Sequence, residues 1–479
     1  MNLFTAFSLF FLFFVFSLSS QTLRTIDELN SDKLSMITQI ETDSKGNTYL
    51  SMMYAGSFKI GGSIFKTTTK SELIVKRNTN SEVDWAIELP ISIIDIAVKP
   101  GGLWVLGQYR NGFALGGKVY ETDRFAAILI DISHNGSVVK MIDFKSENSN
   151  VYATALYADK TGNLSVLIGY DDNVSIGTQN FSKQMSKNAL LLSYNTYGEL
   201  QYATPLTGGN SFITGIFPHA VTGDGEYVYV AGRMSGSVMA GNWTYTTDEK
   251  TFEGGEKLHV AEVFVATFDS DGECVNFMRL ISNDATCTDI LFTSDRHLIL
   301  TGYFSGDDSG EKTGISLFGN KEVSTTLTAD HTTTEDGFIA KFSCSGSLKW
   351  VCTLNGLSTD RIITVDETPR GEIWAAGFGF QEMGFSSTGD NAPVKKINGS
   401  DDDRYNHSDA CIFKLSLDGE LLWFARGGGH KTDQIKCIHS TPDGVLAGGF
   451  FEGSGKFENL KVNTKSKYYS GIILHIEDK

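Results

Sequence analysis

Short apolar runs broken by tight polar turns recur along the whole chain. The first clear unit is Ile40-Glu41-Thr42-Asp43-Ser44-Lys45-Gly46-Asn47-Thr48-Tyr49-Leu50-Ser51. Ile37, Ile40 and Tyr49 alternate about Lys45-Gly46-Asn47, where Gly and Asn accept the positive φ that a tight hairpin turn needs. The unit predicts two short antiparallel strands. It returns at 97–107, 157–169, 223–232, 292–302, 366–377 and 440–448, which makes seven copies. A second hairpin follows. Residues 73–76 turn at Asn80-Ser81 and return as Val83-Asp84-Trp85-Ala86-Ile87. Later equivalents turn at Asn135-Gly136, Tyr197-Gly198, Asp271-Gly272, Ser345-Gly346 and Asp418-Gly419. Self-similarity at a fixed spacing is the mark of a repeat architecture, and four antiparallel strands per unit make one propeller blade.

The expected fold is therefore all-β: one seven-bladed β-propeller of four-stranded antiparallel blades. Its blades fall at about 36–90, 91–146, 147–209, 210–282, 283–355, 356–429 and 430–479. The last copy supplies three strands and the chain then stops. Residues 22–29 (Thr-Leu-Arg-Thr-Ile-Asp-Glu-Leu) resemble the outer strand 83–89 (Val-Asp-Trp-Ala-Ile-Glu-Leu) and are expected to complete that blade, closing the ring and removing an exposed edge.

The residues that repeat also carry a family likeness. Asp43, Gly46, Asn47 and Tyr49 form an Asp-x-x-Gly-Asn-x-Tyr run. An acidic residue precedes an apolar strand at Asp336-Gly337-Phe338-Ile339 and Asp409-Ala410-Cys411-Ile412, and Gly346 and Trp350 form Gly-x-x-x-Trp. This pattern resembles the SBBP-type β-propeller repeat family over essentially everything after the N-terminal apolar segment. The resemblance implies the fold and an extracellular or surface setting. It implies no single activity.

Strand alternation puts the A–B and C–D turns on one face and the B–C and D–A connections on the other. Three B–C connections are long, at about 242–258, 307–335 and 386–408. Loops of this length are functional or are tolerated insertions. Trp243, Tyr245 and Tyr405 are their candidate aromatic platforms for a ligand. Asp307 and Asp308 lie in the second loop, and Asp401, Asp402 and Asp403 in the third. Clustered carboxylates are the donors that Ca²⁺ takes, but neither run has EF-hand spacing, so a solvated acidic loop is the main reading and Ca²⁺ the alternative. No other metal or cofactor is expected.

Composition narrows the setting. A net charge of −17 and a pI near 5.0 argue against nucleic acid, which calls for clustered Lys and Arg, and against adsorption to anionic membranes. Residues 3–18 are an uncharged, largely apolar run rich in Phe, followed by small residues, which reads as a signal peptide over 1–20. No Lys or Arg precedes the run, and an uncleaved signal anchor is the alternative. No integral span is expected after signal removal. Seven Asn-x-Ser/Thr sequons, at Asn135, Asn163, Asn173, Asn180, Asn242, Asn398 and Asn406, are glycosylation candidates in a secreted chain. Six cysteines (Cys274, Cys287, Cys344, Cys352, Cys411, Cys437) allow disulfides, and their place in the second half beside the long loops favours local stapling, with buried thiols in apolar contexts the alternative.

No catalytic motif is present. HExxH, GxSxG and phosphate-cradling glycine runs are all absent. For His219, His430 and His439 a satisfied polar residue is the main reading and a place at the mouth of the central channel the alternative, while Trp85, Trp350 and Trp423, at equivalent outer-strand positions, are expected to pack blade on blade. The expected function is a secreted or cell-surface, non-enzymatic scaffold for a protein or glycan, bound through the long-loop face. The alternative is a propeller enzyme acting on polysaccharide, a hydrolase or lyase with carboxylates gathered at the channel mouth.

Overall fold

The second and third strands of each unit read as continuous apolar runs because they are covered on both sides. The computed structural model describes residues 22–29, 31–60, 62–182, 186–209, 214–251, 257–280, 284–305, 315–318, 321–324, 335–356, 358–381, 383–387, 395–397, 407–464 and 468–477. Gly102–Tyr109 and Leu164–Tyr170 are almost entirely buried, whereas the outer strand Val83–Leu89 is mostly half-exposed. Among the described residues seven core clusters, rather than one, fill the spaces between sheets. In one of them Trp104, Leu106 and Leu129 meet Val166, Ile168 and Leu190 of the next sheet.

The sheets are seven antiparallel blades. Strand A of each lies innermost: Leu34–Thr42, Ser92–Lys99, Val151–Ala158, Gly215–Gly223, Ala285–Phe292, Arg361–Glu367 and Asp433–Thr441. In blade seven, Asp433–Thr441, Gly444–Glu452 and Tyr469–Glu477 are joined by Thr22–Leu29 as the outer strand. Leu23 pairs with Ile476, Ile26 with Leu474 and Leu29 with Gly471. Leu23 and Ile26 pack against the cluster of Ile435, Ile472 and Leu474. Asp27 binds the ends together, accepting from Arg77 of blade one at 2.9 Å and lying 3.2 Å from His475 Nε2 of blade seven. The ring is closed by its N-terminal strand.

Repeated polar contacts tie each blade to the next. Trp85 Nε1 donates to the His134 carbonyl at 2.9 Å, and Trp350 Nε1 to Leu417 at 2.9 Å. Lys140 Nζ donates to Gly198 at 2.7 Å and Asn276 Nδ2 to Cys344 at 3.1 Å. All four side chains sit on outer strands and reach the C–D turn of the following blade. Gly419 shows why glycine belongs in that turn: its φ is +83°, and a Cβ there would come within 2.7 Å of the Trp350 ring. Trp423 instead packs on Trp374 of its own blade, ring centres 5.6 Å apart, and against the blade-seven cluster. The acidic residue before strand C is also explained. Asp409 accepts from Arg426 Nε at 2.8 Å, and Glu262 pairs with Arg279 at 2.9 Å, so each carboxylate holds its own outer strand.

The B–C connections differ from expectation. The three long segments are not the only elaborated ones, because every blade carries a hairpin there. Short examples are Phe113–Leu115 with Lys118–Tyr120, Asn173–Ile176 with Gln179–Ser182, and Gly455–Phe457 with Leu460–Val462. Several add to the outer strand of the preceding blade: Leu206 pairs with Ala240, Leu354 with Phe385 and Gly427 with Phe457. These hairpins latch neighbouring blades at one face.

Candidate functional site

Each innermost strand has one edge with no strand partner, and those edges bound a central channel of about 440 Å³. Every strand A is bulged at the same point, so that Thr38, Ile94, Thr154, His219, Thr288, Ile363 and Lys436 are the seven extra residues. A bulge re-aims side chains and interrupts pairing. The free N–H groups of the inner edge need partners, and carboxylates from the preceding blade supply them. Asp95 accepts from Leu156 N at 2.7 Å, Asp289 from Val365 N at 3.0 Å and Asp366 from Ser440 N at 2.6 Å. Each also accepts from the residue after itself at 2.8 Å. Gln39 and Thr288 do the converse, donating to Ile94 O at 3.2 Å and Ile362 O at 2.8 Å.

Three residues beyond the bulge level, His439 stands between two blades. Its Nε2 is 2.8 Å from Thr42 Oγ1, and its Nδ1 is 3.8 Å from both Glu41 Oε2 and Asp366 Oδ2. Burial pushes Asp95 and Asp289 up to about 7, each against two backbone hydrogen bonds that pull the other way. Burial, then the charges of Asp366, Asp95 and Asp289, raises Glu41 well above the ordinary carboxylate range. Burial lowers His439, and desolvation inside the ring, with help from Arg233, lowers His219 to about 4 although its side chain is open to the channel. His219 and His439 line the channel, the alternative reading of the sequence. His430 is exposed and is not among the lining residues.

The other expected site residues fall in several places. Trp243 and Tyr245 lie on the hairpin strand Trp243–Thr246 of blade four and are half-buried rather than free in a loop. The period of two puts both rings on one face, stacked at 6.4 Å, with Tyr245 on Phe277 at 5.1 Å. Trp243 Nε1 also donates to Cys274 O at 3.2 Å. Asp307, Asp308, Asp401, Asp402, Asp403, Tyr405, Asn398 and Asn406 lie outside the described residues, as does the segment 1–20. Among the sequons, Asn180 and Asn242 are exposed on B–C hairpins, Asn173 is half-buried there, and Asn135 and Asn163 sit in turns on the opposite face. All six cysteines are free thiols, five of them buried, which decides against disulfides. Among the described residues no three His, Cys, Asp or Glu gather in a metal-holding group, and no helix is long and apolar enough to cross a membrane.

What sequence reasoning missed is the hairpin face. Of the ten large apolar side chains exposed among the described residues, six lie at the B–C end of their blades: Ile64, Val119, Phe125, Met239, Leu258 and Tyr468. A groove of about 660 Å³ on blade four lies between Arg233, Met239 and His259. The available signal was a recurrent apolar pair around glycine, as in Phe113-Ala114-Leu115-Gly116-Gly117-Lys118-Val119-Tyr120 and Val238-Met239-Ala240-Gly241-Asn242-Trp243.

No family model and no curated protein matches the chain. Solved structures do. A catalytically inactive virginiamycin B lyase from Staphylococcus aureus with quinupristin is 10% identical, covers 94% of this chain and 99% of its own, and has a TM-score of 0.39. BamB from Moraxella catarrhalis is 11% identical, with coverage of 95% and 100% and a TM-score of 0.39. The extracellular domain of a putative one component system from B. thetaiotaomicron is 8% identical, with coverage of 93% and 79% and a TM-score of 0.25. Likenesses of this size lend no ligand, residue or reaction to the chain, and the architecture described above rests on its own sheet order: the molecule is a seven-bladed β-propeller closed by its N-terminal strand.

Proposed function

We propose that this propeller is a secreted or surface-held binding scaffold that engages a protein or glycan through the face carrying the B–C hairpins. One observation carries the reading: six of the ten exposed large apolar side chains among the described residues lie at that face. Exposed apolar side chains gathered on one face are a mark of interaction surfaces. The apolar segment at the start of the chain and the resemblance to SBBP-type repeats support an extracellular setting. The sequons at Asn180 and Asn242 suit glycosylation there, and a mobility shift on enzymatic deglycosylation that is smaller in the Asn180→Gln and Asn242→Gln variants tests it. The channel carboxylates Asp95, Asp289 and Asp366 each hold two backbone N–H groups, which gives them a structural task and weakens the polysaccharide-enzyme alternative. The test is unbiased capture of partners by the full chain and by a chain carrying Ile64→Ser, Val119→Ser, Phe125→Ser and Tyr468→Ser, beside a panel of glycans assayed for turnover. Partners lost from the second chain, with no glycan consumed, support the scaffold. Equal recovery of every partner, or turnover of a glycan, overturns it.

A further inference from the structure

One position of strand B carries a large side chain in every blade but the third. It faces the third residue beyond each strand-A bulge and holds Tyr49, Trp104, Tyr229, Ile299, Trp374 and Leu446, each buried in the core cluster toward the following blade. Blade three has Ser165 there, and Ser193 of strand C is paired with it. Alternation turns both toward blade four, because Leu167 and Leu191, two residues away, pack in the cluster shared with that blade. Two small side chains where a large one is usual leave a pocket of about 270 Å³ between blades three and four, at the face of the A–B and C–D turns. Tyrosines flank the serines, Tyr157 on strand A and Tyr202 on strand D. Blade four fixes both rings: Tyr157 donates to Gly223 O at 2.7 Å, and the Tyr202 ring lies against Gly272, where a Cβ would stand 2.5 Å from it. Ser165 is only 5% exposed, and its hydroxyl has no hydrogen-bond partner among the described residues. A buried hydroxyl left unpaired costs the fold stability. At the rim stand Glu226 and Asp269. Asp269 Oδ1 accepts from Asp271 N at 3.0 Å and Glu273 N at 2.9 Å, while its Oδ2 accepts no bond among the described residues. Among the described residues no Lys, Arg or His lines the pocket.

We infer that this inter-blade pocket binds a single uncharged sugar ring. The apolar C–H face of such a ring packs on an aromatic side chain, and its edge of hydroxyls pairs with the Ser165 hydroxyl and with the rim carboxylates, which accept charge-assisted hydrogen bonds. The volume is just under the roughly 300–1,000 Å³ of sites for drug-sized ligands, which suits one ring rather than a run of them. With no cation in the lining, a phosphate, sulfate or acidic sugar would be buried without a counter-charge. A methylated ammonium also suits tyrosines beside carboxylates, but it leaves the Ser165 hydroxyl unpaired. The pocket lies on the face opposite the B–C hairpins, so it is separate from the surface assigned to the scaffold.

The probes are glucose, galactose, mannose and N-acetylglucosamine, each with its methyl glycoside, followed on the full chain by saturation-transfer NMR and calorimetry. Glucuronate and tetramethylammonium are the charged controls. At least one sugar is expected to bind with a Kd of about 1 mM or tighter, and both controls about tenfold or more weakly than that. Binding of both the sugar and its glycoside marks the end of a glycan chain as the ligand; binding of the sugar alone marks a free monosaccharide. Ser165→Trp restores the side chain that Trp104 and Trp374 supply in their blades and should abolish binding. Ser165→Ala keeps the space and removes the hydroxyl, and should weaken binding about three- to tenfold, the scale of one hydrogen bond. The unaltered chain and Ser165→Ala decide the matter even where Ser165→Trp does not fold. No sugar bound at about 10 mM, tetramethylammonium bound in place of the sugars, or undiminished affinity in a folded Ser165→Trp chain overturns the inference. The chain carrying Ile64→Ser, Val119→Ser, Phe125→Ser and Tyr468→Ser should bind the sugar unchanged, so this inference and the scaffold reading fail separately.

Discussion

At the scale of single residues, the ring is held by side chains that cross from one blade to the next. Trp350 joins a buried ring to one hydrogen bond on the Leu417 carbonyl. Trp350→Phe keeps most of the ring and removes the donor, which should cost about 1 kcal/mol. Trp350→Ala also leaves a cavity, and the loss should rise to about 3–5 kcal/mol. Urea midpoints of the two variants check this: no loss in Trp350→Phe would mean that the hydrogen bond carries nothing, and equal losses that the ring's packing adds nothing to it. These tryptophans were legible in the sequence because residue type itself repeats, at Trp85, Trp350 and Trp423. The bulge ring was not. Its members are Thr, Ile, Thr, His, Thr, Ile and Lys, and what recurs there is a backbone hydrogen-bond pattern that no residue type marks. Trp243 and Tyr245 were misplaced for a related reason. An Asn-Trp-Thr-Tyr run reads as loop chemistry until its neighbour Ser237–Ala240 is known to pair with it.

At the scale of elements, the decisive one is the N-terminal strand. Thr22–Leu29 supplies the outer ladder of blade seven, and Leu23, Ile26 and Leu29 are half-buried beneath it. Each ladder hydrogen bond contributes about 0.5–1.5 kcal/mol, against a net stability of about 5–15 kcal/mol for an ordinary domain. A chain beginning at Lys33 should therefore melt far below one beginning at Gln21 and aggregate through the bared edge of Tyr469–Glu477. Melting within a degree or two of the longer chain would contradict the closure. A milder probe is Asp27→Asn, which weakens the contacts to Arg77 and His475 and should lower the melting temperature without aggregation. This strand was visible from sequence because its pattern repeats that of Val83–Leu89. The B–C hairpins were hidden because their strands are often three residues long, too short for alternation to register.

At the scale of the whole molecule, buried carboxylates set the response to pH. Asp95, Asp289 and Glu262 are raised to about 7, and Glu72 and Asp433 to about 8, by burial in every case. Their folded values exceed the unfolded ones, so the native state holds the extra protons and stability falls as pH rises from about 4 to about 8. His219 and His439, lowered by burial, act in the opposite sense below the ordinary 6.5, where the carboxylates outnumber them. Asp27, Asp43, Asp159 and Asp295 are depressed, and their contribution is lost only as pH falls below about 4. The cleanest window is therefore pH 6.5 to 8, where the melting temperature should fall as pH rises and the Asp95→Asn, Asp289→Asn double variant should show a shallower slope. A melting temperature that climbs across this window would contradict the assignment. The charge of −17 pushes the same way through self-repulsion, so the variant comparison, rather than the slope alone, isolates the channel. The scaffold reading itself is tested most directly by comparing the faces. One variant carries Ile64→Ser, Val119→Ser, Phe125→Ser and Tyr468→Ser at the B–C end; its control carries Val139→Ser, Tyr197→Ser, Val275→Ser and Leu422→Ser elsewhere on the ring. Both remove four exposed apolar side chains, and both should fold, as circular dichroism will verify. Retention of each on cells and matrix from the source organism is then measured. The account predicts retention lost in the first and kept in the second; equal retention, or loss confined to the second, would contradict it.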